Sequence, residues 1–143
     1  RAGKLIRWGH WDFKQKLPMN ERLSLLRIQL DAELQLYSAE YVYAGIEHPW
    51  VGRNIQTAFT LGKEWGVLYS TLSEHQLPAI EIQPTTAKKA LTGSGKATKA
   101  YMVESAWMQF EQPEMEETFT EDEADAIGVA LAAREKYLIW TAS

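Results

Sequence analysis

The 143-residue sequence contains no cysteine, which excludes disulfides and thiolate metal sites. Long hydrophobic runs are missing too. None approaches the roughly 20 apolar residues of a membrane span, and no secretory signal pattern occurs in the 143 residues. These absences are compatible with a cytoplasmic protein that has no membrane partner. A third shortage is local: Glu104 to Asp125 holds nine acids and neither Lys nor Arg. The net charge of −4 therefore hides a remainder that sums to +5. Pro84 to Tyr101 carries Lys88, Lys89, Lys96 and Lys99 without one acid, and Arg1 to Lys16 carries five basic residues against Asp12. Such segregation points toward a polyanionic partner, although a solvated charged face gives the same pattern.

What is present fits a globular chain, with 45% hydrophobic and 24% charged residues. The length suits one domain, 1–143, with a real core. The opening RAGKLIRWGHWDF reads as if it enters mid-hairpin, so native residues are expected to precede Arg1. Lys4 to Phe13 is the first strand candidate, with aromatics on both faces. Asn20 is expected to cap a helix to about Ser38, whose Leu23, Leu26, Leu30, Leu34 and Tyr37 follow helical spacing. Tyr41 to Ile46 reads as a buried strand, stopped before Pro49. A helix from about Asn54 to Glu74 carries the stripe Ala58, Leu61, Trp65, Leu68 and Leu72. Phe59 and Tyr69 widen that stripe toward a subunit interface. Ala79 to Gln83 is a short strand, and Pro84 opens a short helix to about Leu91. Thr92 to Gly95 reads as a flexible loop. A helix from about Thr98 to Phe110, an acidic loop over Glu114 to Phe119 and a last helix from Thr120 complete the chain. Thr120 and Glu123 form a capping-box pattern. Strands alternating with helices indicate a mixed α/β layer fold.

Three acids carry the chemical interest. Glu47 ends the Tyr41–Ile46 strand, where ligands of α/β sheets usually bind, although taken alone an acid that caps a strand in solvent is the simpler reading. Asp122 and Asp125, at i and i+3, project from one face of the last helix's first turn. Acids there also favourably meet the helix dipole, which gives them a good purely structural role. Asp125, however, lies in the apolar stretch Ala124-Asp-Ala126-Ile127, where a solvated acid is not expected. Carboxylates converging on one point need a hard cation between them, and all-oxygen ligation suits Mg²⁺ or Mn²⁺.

Three segments together resemble the RuvC family of Holliday-junction resolvases. They are the strand ending Ile46-Glu47 with Arg53-Asn54 and Leu61-Gly62 after it; Thr86-Ala-Lys-Lys-Ala-Leu-Thr-Gly93-Ser-Gly95-Lys-Ala-Thr-Lys99; and Asp122-Glu-Ala-Asp125-Ala-Ile-Gly-Val-Ala. They run in collinear order from about Gly3 to Ala133. The resemblance implies a ribonuclease-H-like fold, a mixed five-stranded sheet flanked by helices, usually as a homodimer. It implies paired, Mg²⁺-dependent nicking of four-way DNA junctions, with Mn²⁺ as a substitute ion. Glu47, Asp122 and Asp125 correspond to family metal ligands. Lys88 and Lys99 fall where the family places lysines that hold the DNA backbone or assist chemistry. Trp50 matches an aromatic that can stack on a base, and a core role suits a Trp there nearly as well. Arg53, Asn54, Lys89 and Lys96 complete the expected DNA contacts, although ordinary surface lysine is the simpler reading of Lys89 and Lys96.

The family's first strand carries an Asp-x-Gly aspartate as a further ligand, and nothing here matches it. The expected explanation is that the chain begins after that strand, so that the sheet lacks its first strand or strands and the active site one residue. Two alternatives follow: a noncatalytic junction-binding protein, or another ribonuclease-H-like nuclease.

Overall fold

The computed structural model describes residues 4–37, 40–49, 52–110 and 117–143. Its elements are α1 (Met19–Leu36), β1 (Ala44–Glu47), α2 (Ile55–Glu74), β2 (Ala79–Ile82), α3 (Pro84–Thr92), α4 (Lys99–Phe110) and α5 (Glu121–Ala142). Trp50 and residues 111–116, which include the first half of the expected acidic loop, lie outside the described residues. The chain divides into two compact units. One comprises residues 1–10, 45–48 and 80–143; the other comprises 11–44 and 49–79.

β1 and β2 pair in parallel. Ala44 N–H donates to Pro78 O at 2.9 Å and His48 N–H donates to Ile82 O at 2.8 Å, a constant offset along both strands. The expected strand from Tyr41 is therefore shorter and later, because β2 offers only four residues of edge. Among the described residues this two-stranded pair is the whole sheet, which the resemblance implies as five-stranded and which is expected here without its first strand or strands. Lys4 to Phe13 is not a strand either, since among the described residues no neighbouring edge pairs with it. The segment is held instead by Leu5 and Trp8 packing onto the core, with Trp8 edge-on to Phe119 at 5.7 Å. Ile6, two residues before Trp8, is exposed.

In the first unit α5 is the central element. Ala124, Ile127, Gly128, Val129, Ala132 and Ala133 are buried along it. It meets Ala87 and Leu91 of α3 and Met102, Ala106 and Phe110 of α4, with Ile80 and Ile82 of β2 almost fully enclosed. Removing a side chain of that size from water contributes about 2 kcal/mol. Thr120 caps α5 as expected: its Oγ1 accepts from Glu123 N–H at 3.2 Å, and Glu123 Oε2 accepts from Thr120 N–H at 2.9 Å. The helix runs to Ala142, further than its apolar face requires. α3 starts at Pro84 and ends on Gly93, whose left-handed φ of 84° turns its N–H back to Lys89 O at 2.8 Å. The turn after it is hydrogen-bonded through Thr92 Oγ1, which donates to Lys88 O at 2.8 Å and accepts from Ser94 N–H at 3.1 Å.

In the second unit α1 lies beside α2, joined by Arg22–Glu64 at 3.4 Å and His75–Asp31 at 2.6 Å. Arg27–Glu74 adds a third pair. The partners ascend together in number, so the two helices run the same way. Asn20 does not cap α1. Pro18 O accepts from Arg22 N–H at 3.0 Å, which starts the helix at Met19 and leaves Asn20 in its first turn. Asn54 does cap α2, its Oδ1 accepting from Gln56 and Thr57 N–H at 3.0 and 3.3 Å. Of the α2 stripe only Leu72 is buried, with Thr71 beside it; Ala58, Leu61, Trp65 and Leu68 are half-buried, and Phe59 is exposed.

Candidate active site

The position of Glu47 follows from a close contact two residues before it. A methyl group built on Gly45 would lie 2.8 Å from Ala133 Cβ and 3.1 Å from Val129 Cγ1, so the strand's backbone rests directly on α5. Glu47 shares a strand face with Gly45 and stands about 6.7 Å further along. Asp125 lies one turn, about 6 Å, before Val129. The C-terminal end of β1 therefore meets the N-terminal turn of α5. A second close contact brings α3 to the same place: a methyl on Gly128 would lie 2.9 Å from Ala87 O. That fixes Lys88, the next residue.

The electrostatics agree with this placement. The Glu47 carboxyl is held above its ordinary range, first by partial loss of hydration at the strand end and then by the negative charge of Asp125. Lys99 and Lys88 pull it back, and Asp122 pushes it further up. Lys99, at the start of α4, donates from Nζ to Asp125 Oδ2 at 3.1 Å and lies 3.8 Å from Glu121 Oε2. Its ammonium is held above the usual lysine range by that hydrogen bond and by the charge of Asp125. All these groups belong to one unit.

The structure thus brings Glu47, Asp122, Asp125, Lys88 and Lys99 into one electrostatic neighbourhood. Lys89 and Lys96 are exposed on α3 and the turn after it. Arg53 and Asn54 belong to the other unit, where the Asn54 side-chain oxygen is committed to capping α2. His48 approaches Glu81 at 3.5 Å. Sequence reasoning missed two neighbours of this site. Glu121 faces Lys99, and His10 Nδ1 lies 3.2 Å from Glu123 Oε1 at the cap of α5. The i, i+4 spacing of Glu121 and Asp125 was a visible signal for the first; nothing local signals the second.

The donor chemistry fits a hard divalent ion. Glu47, Asp122 and Asp125 offer carboxylate oxygen only, and a cation beside them would offset both the lost hydration that chiefly raises the Glu47 carboxyl and the added charge of Asp125. As packed, however, the described residues contain no group of three or more His, Asp or Glu side chains placed to hold one ion. Lys99 supplies the positive charge at Asp125 instead.

A strand-end acid facing paired helix acids, with lysines alongside, is the arrangement of a nuclease of the ribonuclease-H-like class. The model of the family "Crossover junction endodeoxyribonuclease RuvC" matches residues 3–133, and the chain belongs to that family. It is 33% identical over 128 residues to a crossover junction endodeoxyribonuclease RuvC of Roseiflexus sp. (strain RS-1), covering 90% of this chain and 74% of that protein. To the corresponding protein of Chlamydia trachomatis serovar L2 it is 32% identical over 124 residues, covering 87% and 72%. Two Thermus thermophilus RuvC structures share the fold. One, in complex with Holliday junction substrate, matches with a TM-score of 0.80 at 20% identity, over 96% of this chain and 81% of that one. The other matches at 0.73 and 21%, over 93% and 80%. No helix among the described residues is long and apolar enough to cross a membrane.

Proposed function

We propose that this chain is a structure-selective endonuclease that resolves four-way DNA junctions by paired, metal-dependent nicks, working as a homodimer. The observation that carries the reading is the meeting of Glu47 with the first turn of α5, flanked by Lys88 and Lys99. Glu47, Asp122 and Asp125 would hold Mg²⁺, or Mn²⁺ in its place. A bound ion of this kind supplies charge stabilisation at the phosphate and a more acidic water. Lys88 and Lys99 neutralise phosphate charge beside the cut, and Lys89 and Lys96 extend the basic surface along α3 and its following turn. Arg53, Asn54 and Trp50 belong to the proposed DNA-binding set, with Trp50 stacking on a base. The exposed Ile55 and Phe59 on α2 support self-association, since a second copy would remove them from water.

The test is nicking of a labelled four-way junction in Mg²⁺, against linear duplex of the same sequence. Symmetric paired nicks on the junction alone are expected, and Glu47→Gln should abolish them while sparing junction binding. Cleavage retained in that variant would remove Glu47 from the site. Lys88→Glu and Lys99→Glu should each lower the slope of log affinity against log salt by about one. A second reading, junction binding without turnover, draws support from the lack of a three-ligand group among the described residues. Tight, salt-sensitive binding with no nicks in either ion would favour it.

A further inference from the structure

We infer that Glu121 is a second seat for the Lys99 ammonium, taking it over when Asp125 turns to a divalent ion. The inference deepens the proposed function and rests on its assignment of Asp125 as a ligand. Glu121 and Asp125 stand at i and i+4 on α5, one turn apart on one face. Lys99 Nζ lies between them, 3.1 Å from Asp125 and 3.8 Å from Glu121. The lysine's backbone is anchored, because the following turn of α4 is held to Thr98. Tyr101 N–H donates to Thr98 Oγ1 at 3.2 Å and Met102 N–H to Thr98 O at 3.0 Å. Only the flexible four-carbon stem has to swing, and its three donors suit either carboxylate.

The two seats differ in depth. The Asp125 side chain is 26% exposed and that of Glu121 is 62% exposed. An ammonium and a divalent ion on one carboxylate repel each other at short range, so an ion held by Asp125 would push Lys99 away from it. The outward move to Glu121 keeps the ammonium paired. Without Glu121 the displaced lysine is left to water, and metal must compete with a lysine that has one partner only. Glu121 is thus a positioning residue, acting through Lys99.

Mn²⁺ affinity, read from the electron paramagnetic resonance signal of the free ion, tests this without turnover. The proteins are the unaltered chain, E121Q, K99M and the double variant, with E47Q marking the site. E121Q should weaken the Glu47-dependent Mn²⁺ site by about two- to fivefold, the size of an exposed ion pair. K99M should strengthen binding, and adding E121Q to K99M should change nothing further. An equal loss in both backgrounds would show that Glu121 acts on the ion by charge alone, which overturns the inference while leaving the metal site standing. Mn²⁺ binding that does not depend on Glu47 would instead overturn the site assignment, and the inference with it. Amine acylation of Lys99 in Mg²⁺ gives an independent readout. E121Q should expose Lys99 to the reagent; equal protection in both proteins counts against the second seat.

Discussion

The glycines inside helices and strands are used in opposite ways by the two units, and the difference shows where the fold is tight. In the first unit, Gly45 and Gly128 stand where backbone meets backbone: strand on α5, and α5 on α3. In the second, Gly62 and Gly66 sit on α2 with nothing within 4 Å of a methyl built on either. The first unit encloses Ile80, Ile82, Met102 and Ala106 almost completely. The second joins its helices through Arg22–Glu64, Arg27–Glu74 and His75–Asp31 and leaves Ile28, Leu36, Ile55 and Phe59 exposed, as the first leaves Ile6, Met108, Ile139 and Trp140. The carboxylates that need fixed positions stand on the tightly packed unit. The α2 residues proposed for self-association, Ile55 and Phe59, stand on the other.

Glycine substitutions should break this comparison most visibly. Gly45→Val forces β1 off Val129 and Ala133 and should cost about 1–3 kcal/mol. The cost appears as a lower urea midpoint in unfolding monitored by circular dichroism. Because the same contact sets Glu47 against Asp125, Mn²⁺ binding should weaken in the protein that remains folded. A neutral result would mean that the strand and helix part without cost. Gly62→Ala should act in the opposite direction. An exposed mid-helix glycine replaced by alanine gains up to about 1 kcal/mol through helix propensity and reduced freedom of the unfolded chain. A destabilised Gly62→Ala would show that α2 is packed more tightly than its surroundings indicate.

The same contrast explains what could be read from the sequence. Features fixed within a few residues were legible: the Thr120–Glu123 capping box, the Asn54 turn into α2, the Pro84 start of α3 and the Lys99–Phe110 helix. Features that depend on a distant partner were not. Alternation in Lys4 to Phe13 suggested a strand, but a strand needs an edge to pair with, and the local pattern carries no information about that. The Tyr41 start was wrong for the same reason, because β2 sets the ladder's length. Resemblance pointed to Glu47, Asp122, Asp125 and Lys99. The Lys99–Asp125 hydrogen bond, 26 residues apart in sequence, became visible only in three dimensions. So did the role of Gly45, an inconspicuous residue in the apolar run whose missing side chain lets α5 approach.

The smallest effect lies at the cap of α5 and separates charge from packing within the first unit. Burial pushes the Glu123 carboxyl up, but the Thr120 N–H, His10 and the Thr120 hydroxyl outweigh it and hold the carboxyl below its ordinary range. A carboxylate whose folded value is depressed contributes stability that is present above its unfolded value, about 4.3, and lost as pH falls through the folded one. Gln at position 123 can still accept from the Thr120 N–H, so Glu123→Gln removes the charge and keeps the capping geometry. It should therefore cost about 0.3–1 kcal/mol at pH 7, the usual worth of an acid at a helix N-terminus. The difference from the unaltered chain should shrink toward zero as the pH drops below the folded value. Urea titrations of both proteins at neutral and at strongly acid pH measure it. A difference that persists unchanged in acid would assign the cap's contribution to packing and hydrogen-bond shape. A difference that vanishes would assign it to the charge, which His10 helps to hold at the turn carrying Asp122 and Asp125.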